Sequence, residues 1–191
     1  MLSKKYFIPV VLLVLAVALV AGCTGSENTV KNGDNVTIDY TGTYDNGTIF
    51  DTSNATIAQA AGIYEPDFTY GPISFISGDG EVFETIDNGT IGMKIGETKN
   101  ITLTPEQAYG EYNASLIQAI PLSVLEENNI TPHVNDTLYY NMNPVKVTSI
   151  VPNVTDPNNT SVYIDFNDPR AGKTMHFQIT VRDIRAANAT S

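Results

Sequence analysis

The chain has 191 residues, a formal net charge of −11 and a single cysteine. This length suits one domain or one and a half, and 42% hydrophobic residues are enough for a core. So acidic a chain is a poor partner for nucleic acid. One cysteine excludes an internal disulfide and a cysteine-rich metal site.

Residues 1–22 predict an export signal rather than part of the fold. Lys4 and Lys5 precede an apolar run, and the sequence L-V-A-G at 19–22 leads to Cys23. A charged start, a short apolar middle and small residues are typical of such a signal. Small residues before a lone cysteine also resemble a lipobox, so we expect lipid attachment at Cys23. A chance cysteine and an uncleaved signal anchor remain as alternatives.

Asparagine lies in the pattern N-x-S/T more often than chance predicts. Twelve of the 18 asparagines have it, whereas 32 serine and threonine residues among 191 predict roughly three. General richness in asparagine and threonine explains only part of this excess. We expect a glycoprotein held at the outer face of the cell membrane, with a polar tether at 23–33. The twelve sites are Asn35, Asn46, Asn54, Asn88, Asn100, Asn113, Asn129, Asn135, Asn153, Asn158, Asn159 and Asn188.

The first predicted element is a β-hairpin. Apolar and polar residues alternate over 36–41, which predicts a half-buried strand. An Asn-Gly pair follows and predicts a tight turn. The return of the chain should bring Tyr40, Phe50 and Asp51 together at one end of the hairpin. Taken alone, this trio would be two core rings and a turn cap.

The next segment predicts a mixture of helix and strand. Residues 58–61 favour one helical turn, and alternation predicts strands at 73–75 and 99–103. The apolar residues of 82–86 have the i, i+3, i+4 spacing of a short helix. An Asn-Gly pair at 88–89 should weaken that helix or end it.

Residues 118–165 predict a small, mainly β unit. It contains three strand-like runs separated by turn residues, at 137–141, 145–151 and 161–166. Strict alternation returns at 173–184 and predicts the strand that closes the first sheet. The β unit is therefore expected to interrupt a discontinuous domain made of 34–117 and 166–186, before a short tail at 187–191.

Four separated motifs, in this order, resemble the FKBP-type peptidyl-prolyl isomerases, in particular the SlyD-like and long archaeal branch with an insert in the flap. The motifs are V-T-I-D-Y-T-G-T-Y-D-N-G-T-I-F-D-T-S at 36–53, G-M-K-I-G-E at 92–97, A-Y-G-E-Y at 108–112 and N-D-P-R-A-G-K-T-M-H-F at 167–177. The resemblance implies an α+β fold: an FKBP-like curved antiparallel sheet around a short helix, an apolar pocket between them, and a small, mainly β flap domain inserted at 118–165.

The resemblance also implies a set of pocket residues. The matching positions are Tyr40, Phe50, Asp51, Val82, Phe83, Ile86, Tyr109 and Phe177. The chain departs from the family at Ile86, where an aromatic residue is usual, and at Thr85, where glycine is common. These departures favour a non-catalytic peptide-binding module on the same fold, which we keep as the alternative. The retained Tyr40, Asp51, Tyr109 and Phe177 favour an isomerase.

The pocket residues suit prolyl isomerisation. Rotation about an X-Pro bond crosses a barrier of roughly 20 kcal/mol and needs no covalent step, metal or cofactor. A dry apolar cup that holds the prolyl ring favours the twisted amide over the planar one. We assign the hydroxyl of Tyr109 to the substrate carbonyl, and Asp51 to orientation and local electrostatics through a bond with Tyr40. The alternative is that all eight residues are simply core.

The expected substrates are proline-containing unfolded or extended polypeptides of exported proteins. The inserted flap should hold such chains through apolar residues at a β edge: Ile120, Val124, Leu125, Leu138, Tyr139, Tyr140 and Met142. Alternatively, these side chains form the core of the insert. We expect a monomer without a metal site. Of the two histidines, His133 and His176, we expect His176 to lie at the surface, on the outward face of its strand.

Overall fold

The computed structural model describes residues 28–153 and 160–187. The predicted export signal and Cys23 lie outside these residues. The helices and strands, in chain order, are β1 (Asn35–Tyr44), β2 (Ile49–Thr52), α1 (Ala55–Ala61), β3 (Ile73–Ile76), α2 (Glu84–Thr90), β4 (Thr98–Leu103), β5 (Ile117–Pro121), α3 (Leu122–Glu127), β6 (Thr137–Tyr140), β7 (Asn143–Val151), β8 (Ser161–Asp165) and β9 (Met175–Arg185). None of these helices is long and apolar enough to cross a membrane.

The first sheet is antiparallel and has the order β2-β1-β9-β4, with β3 also paired to β1. Strand β9 alternates buried and more exposed residues along most of its length, as its sequence predicts. It lies in the middle of the sheet, between β1 and β4, so the last strand of the chain carries the centre of the fold rather than an edge. The hairpin of β1 and β2 and the mixed α+β architecture match the sequence prediction.

Helix α2 packs on the first sheet and differs from its prediction at both ends. It begins at Glu84, and the Asn-Gly pair at 88–89 does not end it, since it continues to Thr90. A Cβ atom on Gly89 would lie 2.3 Å from Cδ1 of Ile101. The missing side chain therefore lets the helix approach β4 closely, although glycine costs about 1 kcal/mol of helix propensity relative to alanine.

The second sheet is formed by the segment between β4 and β9. It is antiparallel with the order β5-β8-β7-β6, and it has its own buried core of Leu125, Val145, Val147, Val162 and Ile164. Strand β5 begins at Ile117, one residue before the expected boundary of the insert. Helix α3 was not predicted, because six residues are too few to display a helical period.

The folded domain begins earlier than the sequence prediction. The segment 23–33 was expected to be a polar tether, but Val30 is 1% exposed and belongs to the core of the first sheet. Its amide donates to the carbonyl oxygen of Met93 at 2.9 Å. The part of the expected tether that the structure describes is therefore packed against the domain.

Candidate active site

A cavity of about 650 Å³ opens against the first sheet and helix α2. All eight residues predicted for the pocket line it: Tyr40, Phe50, Asp51, Val82, Phe83, Ile86, Tyr109 and Phe177. They come from β1, β2, the segment that leads into α2, α2 itself, the loop after β4, and β9, so residues far apart in the chain converge on one space. Ile86 and Phe177 are each 6% exposed, and Ile38 and Ile179, which also line the cavity, are 1% and 0% exposed, so its floor is buried and apolar.

The hairpin supplies one end of the cavity. The hydroxyl of Tyr40 donates to Oδ2 of Asp51 at 3.1 Å. The ring of Phe177 meets Phe50 edge-on, with centroids 5.5 Å apart and planes at 88°. This edge-to-face contact is a favoured aromatic geometry, so the rings form a defined wall with the carboxylate beside it.

Gly42 allows these rings to lie directly over β1. It is the register partner of Phe177 on β9. A Cβ atom at Gly42 would lie 2.6 Å from Cζ of Phe50 and 3.1 Å from Cε1 of Phe177. Because glycine has no side chain, the rings of Phe50 and Phe177 can occupy the space above this position.

Tyr109 stands at the rim with its hydroxyl held by a cation. Its ring meets Phe83 edge-on at 5.4 Å. The guanidinium carbon of Arg170 lies 3.6 Å from the Tyr109 ring centroid, and Nη1 donates to the Tyr109 hydroxyl at 2.7 Å. Because Arg170 can only donate, the hydroxyl of Tyr109 keeps its own hydrogen for an acceptor such as a substrate carbonyl.

Asp168 fixes the guanidinium of Arg170. Its two carboxylate oxygens accept from Nε at 2.9 Å and from Nη2 at 3.0 Å. These hydrogen bonds hold the pKa of Asp168 below its usual range and raise the pKa of Arg170. The bidentate geometry orients the guanidinium as well as pairing its charge.

The cavity is also lined by residues that the sequence did not single out: Ile38, Tyr44, Ile73, Gly80, Glu81, Arg170 and Ile179. Tyr44 stacks on Phe50 with centroids 4.6 Å apart, and it continues the strand alternation that runs through Tyr40, so the pattern could have found it. Arg170 lies in the irregular segment between β8 and β9, where no periodicity marks a side chain as pocket-lining.

The alkaline pH dependence of stability should report the environment of Tyr40. Burial, and then the neighbouring Asp51, raises the pKa of Tyr40. The unfolded chain loses this proton near pH 10 while the native state keeps it, so the stabilisation is complete below pH 10 and is lost as pH rises above it. We expect urea unfolding between pH 8 and 11 to show a smaller alkaline decline for Tyr40→Phe than for the wild type. Parallel declines would contradict this assignment.

The apolar residues expected to bind clients divide into two groups. Leu125 is buried in the core of the second sheet, and Ile120 and Leu138 pack against that core. The other four are exposed to different degrees: Val124 at 44%, Tyr140 at 60%, Tyr139 at 76% and Met142 at 94%. Each of the two interpretations of the sequence therefore describes part of this set.

The two histidines lie outside the cavity. Nε2 of His176 lies 2.7 Å from Oδ1 of Asp45, and His133 pairs with Asp136 at 3.2 Å. In 28–153 and 160–187, no group of three or more His, Cys, Asp or Glu side chains is placed to hold a metal ion.

A mixed α+β fold with an apolar, aromatic cup bordered by the carboxylates of Asp51 and Glu81 defines a class of protein whose site suits a small apolar group. Comparison with known proteins identifies the family. The family model for FKBP-type peptidyl-prolyl cis-trans isomerase matches residues 26–182. The chain belongs to this family, and it is an FKBP-type peptidyl-prolyl cis-trans isomerase.

Individual relatives agree with the family model. The short-type peptidyl-prolyl cis-trans isomerase of Methanocaldococcus jannaschii is 37% identical over 162 residues, covering 85% of this chain and 98% of the relative. The FKBP-type isomerase SlyD of Aeromonas hydrophila is 29% identical over 160 residues, covering 81% of this chain and 64% of the relative. SlyD of Treponema pallidum is 27% identical over 153 residues, covering 80% and 76% respectively. The chain therefore has SlyD-like relatives, and these names favour an isomerase over a non-catalytic module.

Proposed function

We propose that the cavity isomerises X-Pro bonds by holding the prolyl ring between Phe50, Phe83 and Phe177, over Ile86. The observation that carries this proposal is the convergence of the eight predicted residues on one cavity, in which Arg170 orients the hydroxyl of Tyr109. The apolar walls strip water from the amide and favour its twisted, less polar form. Tyr109 donates to the carbonyl of the substrate, and Asp51 orients Tyr40.

The hydroxyl and the carboxylate are tested separately from the apolar cup. Tyr109→Phe removes the donor but keeps the ring, and we expect kcat/KM on an X-Pro peptide to fall about tenfold, the scale of one hydrogen bond. Asp51→Asn keeps the shape and removes the charge, and we expect a similar or smaller loss. Tyr112→Phe is the matched control, because its hydroxyl bonds Asp165 outside the cavity. Unchanged rates for both pocket variants would refute the assigned roles.

We propose further that the inserted sheet is a flap domain that holds unfolded chains, as in the insert-in-flap branch of the family. The support is an unfavourable backbone conformation at the turn between β6 and β7. Asn141 and Met142 have φ of 48° and 66°, and a left-handed backbone is unfavourable for methionine by roughly 1–2 kcal/mol. The same side chain is 94% exposed, so folding does not explain its presence. A flexible, polarisable side chain suits variable apolar partners.

Met142→Gly separates client binding from folding. Glycine relieves the turn, so we expect the unfolding midpoint to stay or rise, while the ability of the protein to suppress aggregation of an unfolded client falls. Tyr139→Ser should reduce suppression as well, because Tyr139 lies on β6 at the edge of the sheet. Full suppression by both variants would exclude this edge as the client site.

The protein is proposed to be an exported monomer, held by lipid on Cys23 at the outer face of the membrane, with exported proteins as its clients. The support is the signal-like start, the lone cysteine and the excess of N-x-S/T sites. Mass spectrometry of the mature N-terminus should find lipid on Cys23 and sugar on exposed asparagines. An intact residue 1 would instead indicate an uncleaved signal anchor, and size-exclusion chromatography with light scattering tests the monomer.

A further inference from the structure

A second cavity of about 470 Å³ adjoins the prolyl pocket and shares Phe50 and Asp51 with it. Its other wall is the loop between α1 and β3, which contributes Tyr64, Glu65 and Phe68 among others. Because the two cavities have residues in common, a polypeptide seated in the first can place a neighbouring side chain in the second.

This loop is preorganised by its own internal contacts, so it does not need to fold when a ligand binds. The hydroxyl of Tyr70 accepts from the amide of Glu65 at 3.0 Å and donates to the carbonyl of Ile63 at 3.5 Å. Tyr64 stacks on Tyr70 with centroids 5.2 Å apart and planes at 11°. Phe68 meets Tyr70 edge-on at 4.9 Å.

These rings do not form a closed small core of the loop. Tyr64 is 41% exposed and Phe68 is 48% exposed. Two aromatic side chains that served only to close the loop would gain more by full burial, at about 25 cal/mol per Å² of apolar surface. Their open faces are therefore available to an occupant.

The charge of the lining selects that occupant. The charged residues lining this cavity are Asp51 and Glu65, with no lysine, arginine or histidine beside them. Arg170, which lines the prolyl pocket, lies on the ring of Tyr109, and Lys173 lies 4.7 Å from the ring of Tyr44. An apolar occupant would desolvate two carboxylates without replacing their hydrogen bonds. A guanidinium group stacks on aromatic faces and binds carboxylates through its planar edge.

We propose that this cavity is a subsite for an arginine side chain that flanks the proline of the substrate. The inference rests on the proposed role of the neighbouring pocket in binding the prolyl ring. It gives the enzyme a preference for basic segments of its clients, in addition to its requirement for proline.

The test compares peptides that carry arginine or citrulline, its neutral isostere, at each position from two before to two after the proline. Rates are measured by NMR exchange spectroscopy, which needs no helper protease that would itself cut beside arginine. At one position we expect the arginine peptide to have a kcat/KM about tenfold higher than the citrulline peptide. The difference should be smaller at high salt, because salt screens a partly exposed ion pair between the arginine and the carboxylates of the cavity. Phe68→Leu and Glu65→Gln should each reduce this ratio toward one.

Glu97→Gln is the control variant. Its side chain accepts from the amide of Lys94, which glutamine can also do, and Glu97 lines neither cavity, so the arginine-to-citrulline ratio should stay at the wild-type value. Equal rates for the two side chains at every position, a ratio that Glu65→Gln leaves unchanged, or a preference for phenylalanine would overturn the proposal. Dissociation constants of the same peptides are measured in parallel. An absence of turnover would then refute the role of the prolyl pocket. The ratio of the dissociation constants of the arginine and citrulline peptides would still test the arginine subsite.

Discussion

Phe177→Ala is expected to lower kcat/KM on an X-Pro peptide by about a hundredfold. The ring of Phe177 is 6% exposed, lies between Tyr40 and Phe50, and faces the cavity from the centre of the sheet. Its removal opens the cup to water and takes away a wall against which the prolyl ring would pack. Burial of one such side chain is worth about 1.5–3 kcal/mol, and each 1.36 kcal/mol of transition-state stabilisation is tenfold in rate.

The same substitution also removes core volume, so stability must be separated from activity. A buried Phe→Ala change costs about 3–5 kcal/mol. Ile101→Ala is the matched control, because Ile101 is the register partner of Phe177 on β4, is 7% exposed and does not line the cavity. We expect both variants to lower the urea midpoint, but only Phe177→Ala to lose the rate under conditions where both are folded.

Phe177→Leu guards against the possibility that the alanine variant fails to fold. Leucine keeps most of the buried volume but not the aromatic edge that meets Phe50. We expect a stable protein with a rate between those of the wild type and Phe177→Ala. A folded Phe177→Leu or Phe177→Ala protein with the wild-type rate would remove Phe177 from the site.

Much of the first sheet could be predicted because local signals and tertiary packing agree there. The Asn-Gly turn sets the hairpin, and the alternation of β1 and β9 leaves only one face of each strand to bury. Their antiparallel pairing then carries Tyr40 to Phe177, across more than a hundred residues of chain. The pocket residues that come from regular elements were identifiable for the same reason, once the motifs indicated the family.

The remaining features depend on contacts that no local pattern encodes. The type of Gly89 indicates a helix breaker, yet α2 continues past it and packs closely against Ile101. Arg170 reads as a surface cation, yet Asp168 turns it onto Tyr109. The role of Gly89 depends on Ile101, which belongs to another element, and the role of Arg170 depends on Asp168, which lies in the same irregular segment. The residue type alone indicates neither role.

The N-x-S/T pattern has a structural cause that the sequence analysis did not consider. The side-chain oxygens of Asn46, Asn54 and Asn113 accept from the backbone amides of the Thr or Ser residues two positions later, at 2.9–3.0 Å. Asparagine commonly stabilises turns and helix starts in this way. Stabilisation of turns and helix starts therefore explains some of these asparagines without glycosylation. Mass spectrometry of the attached sugars distinguishes the glycosylated asparagines from the others.

Gly42→Ala is expected to lower kcat/KM by roughly ten- to a hundredfold without changing any residue that lines the cavity. A methyl group at this position would lie within 3.1 Å of both Phe50 and Phe177, so both rings must move. Overpacking of this kind costs about 1–3 kcal/mol, and a displacement of about 1 Å at a site can cost a hundredfold in rate. The structure gives no left-handed φ at Gly42, so the effect comes from the methyl group rather than from backbone strain.

Gly89→Ala is the matched control for this prediction. It also introduces one methyl group against a buried side chain, the Cδ1 end of Ile101, but it lies outside the cavity. A flexible side-chain end can yield, and alanine regains about 1 kcal/mol of helix propensity, so we expect a near-native midpoint and a rate within about threefold of the wild type. The measurements are the isomerase rates and the urea unfolding midpoints of the two variants. If Gly42→Ala loses no more activity than Gly89→Ala, the position of the Phe50 and Phe177 rings does not limit catalysis.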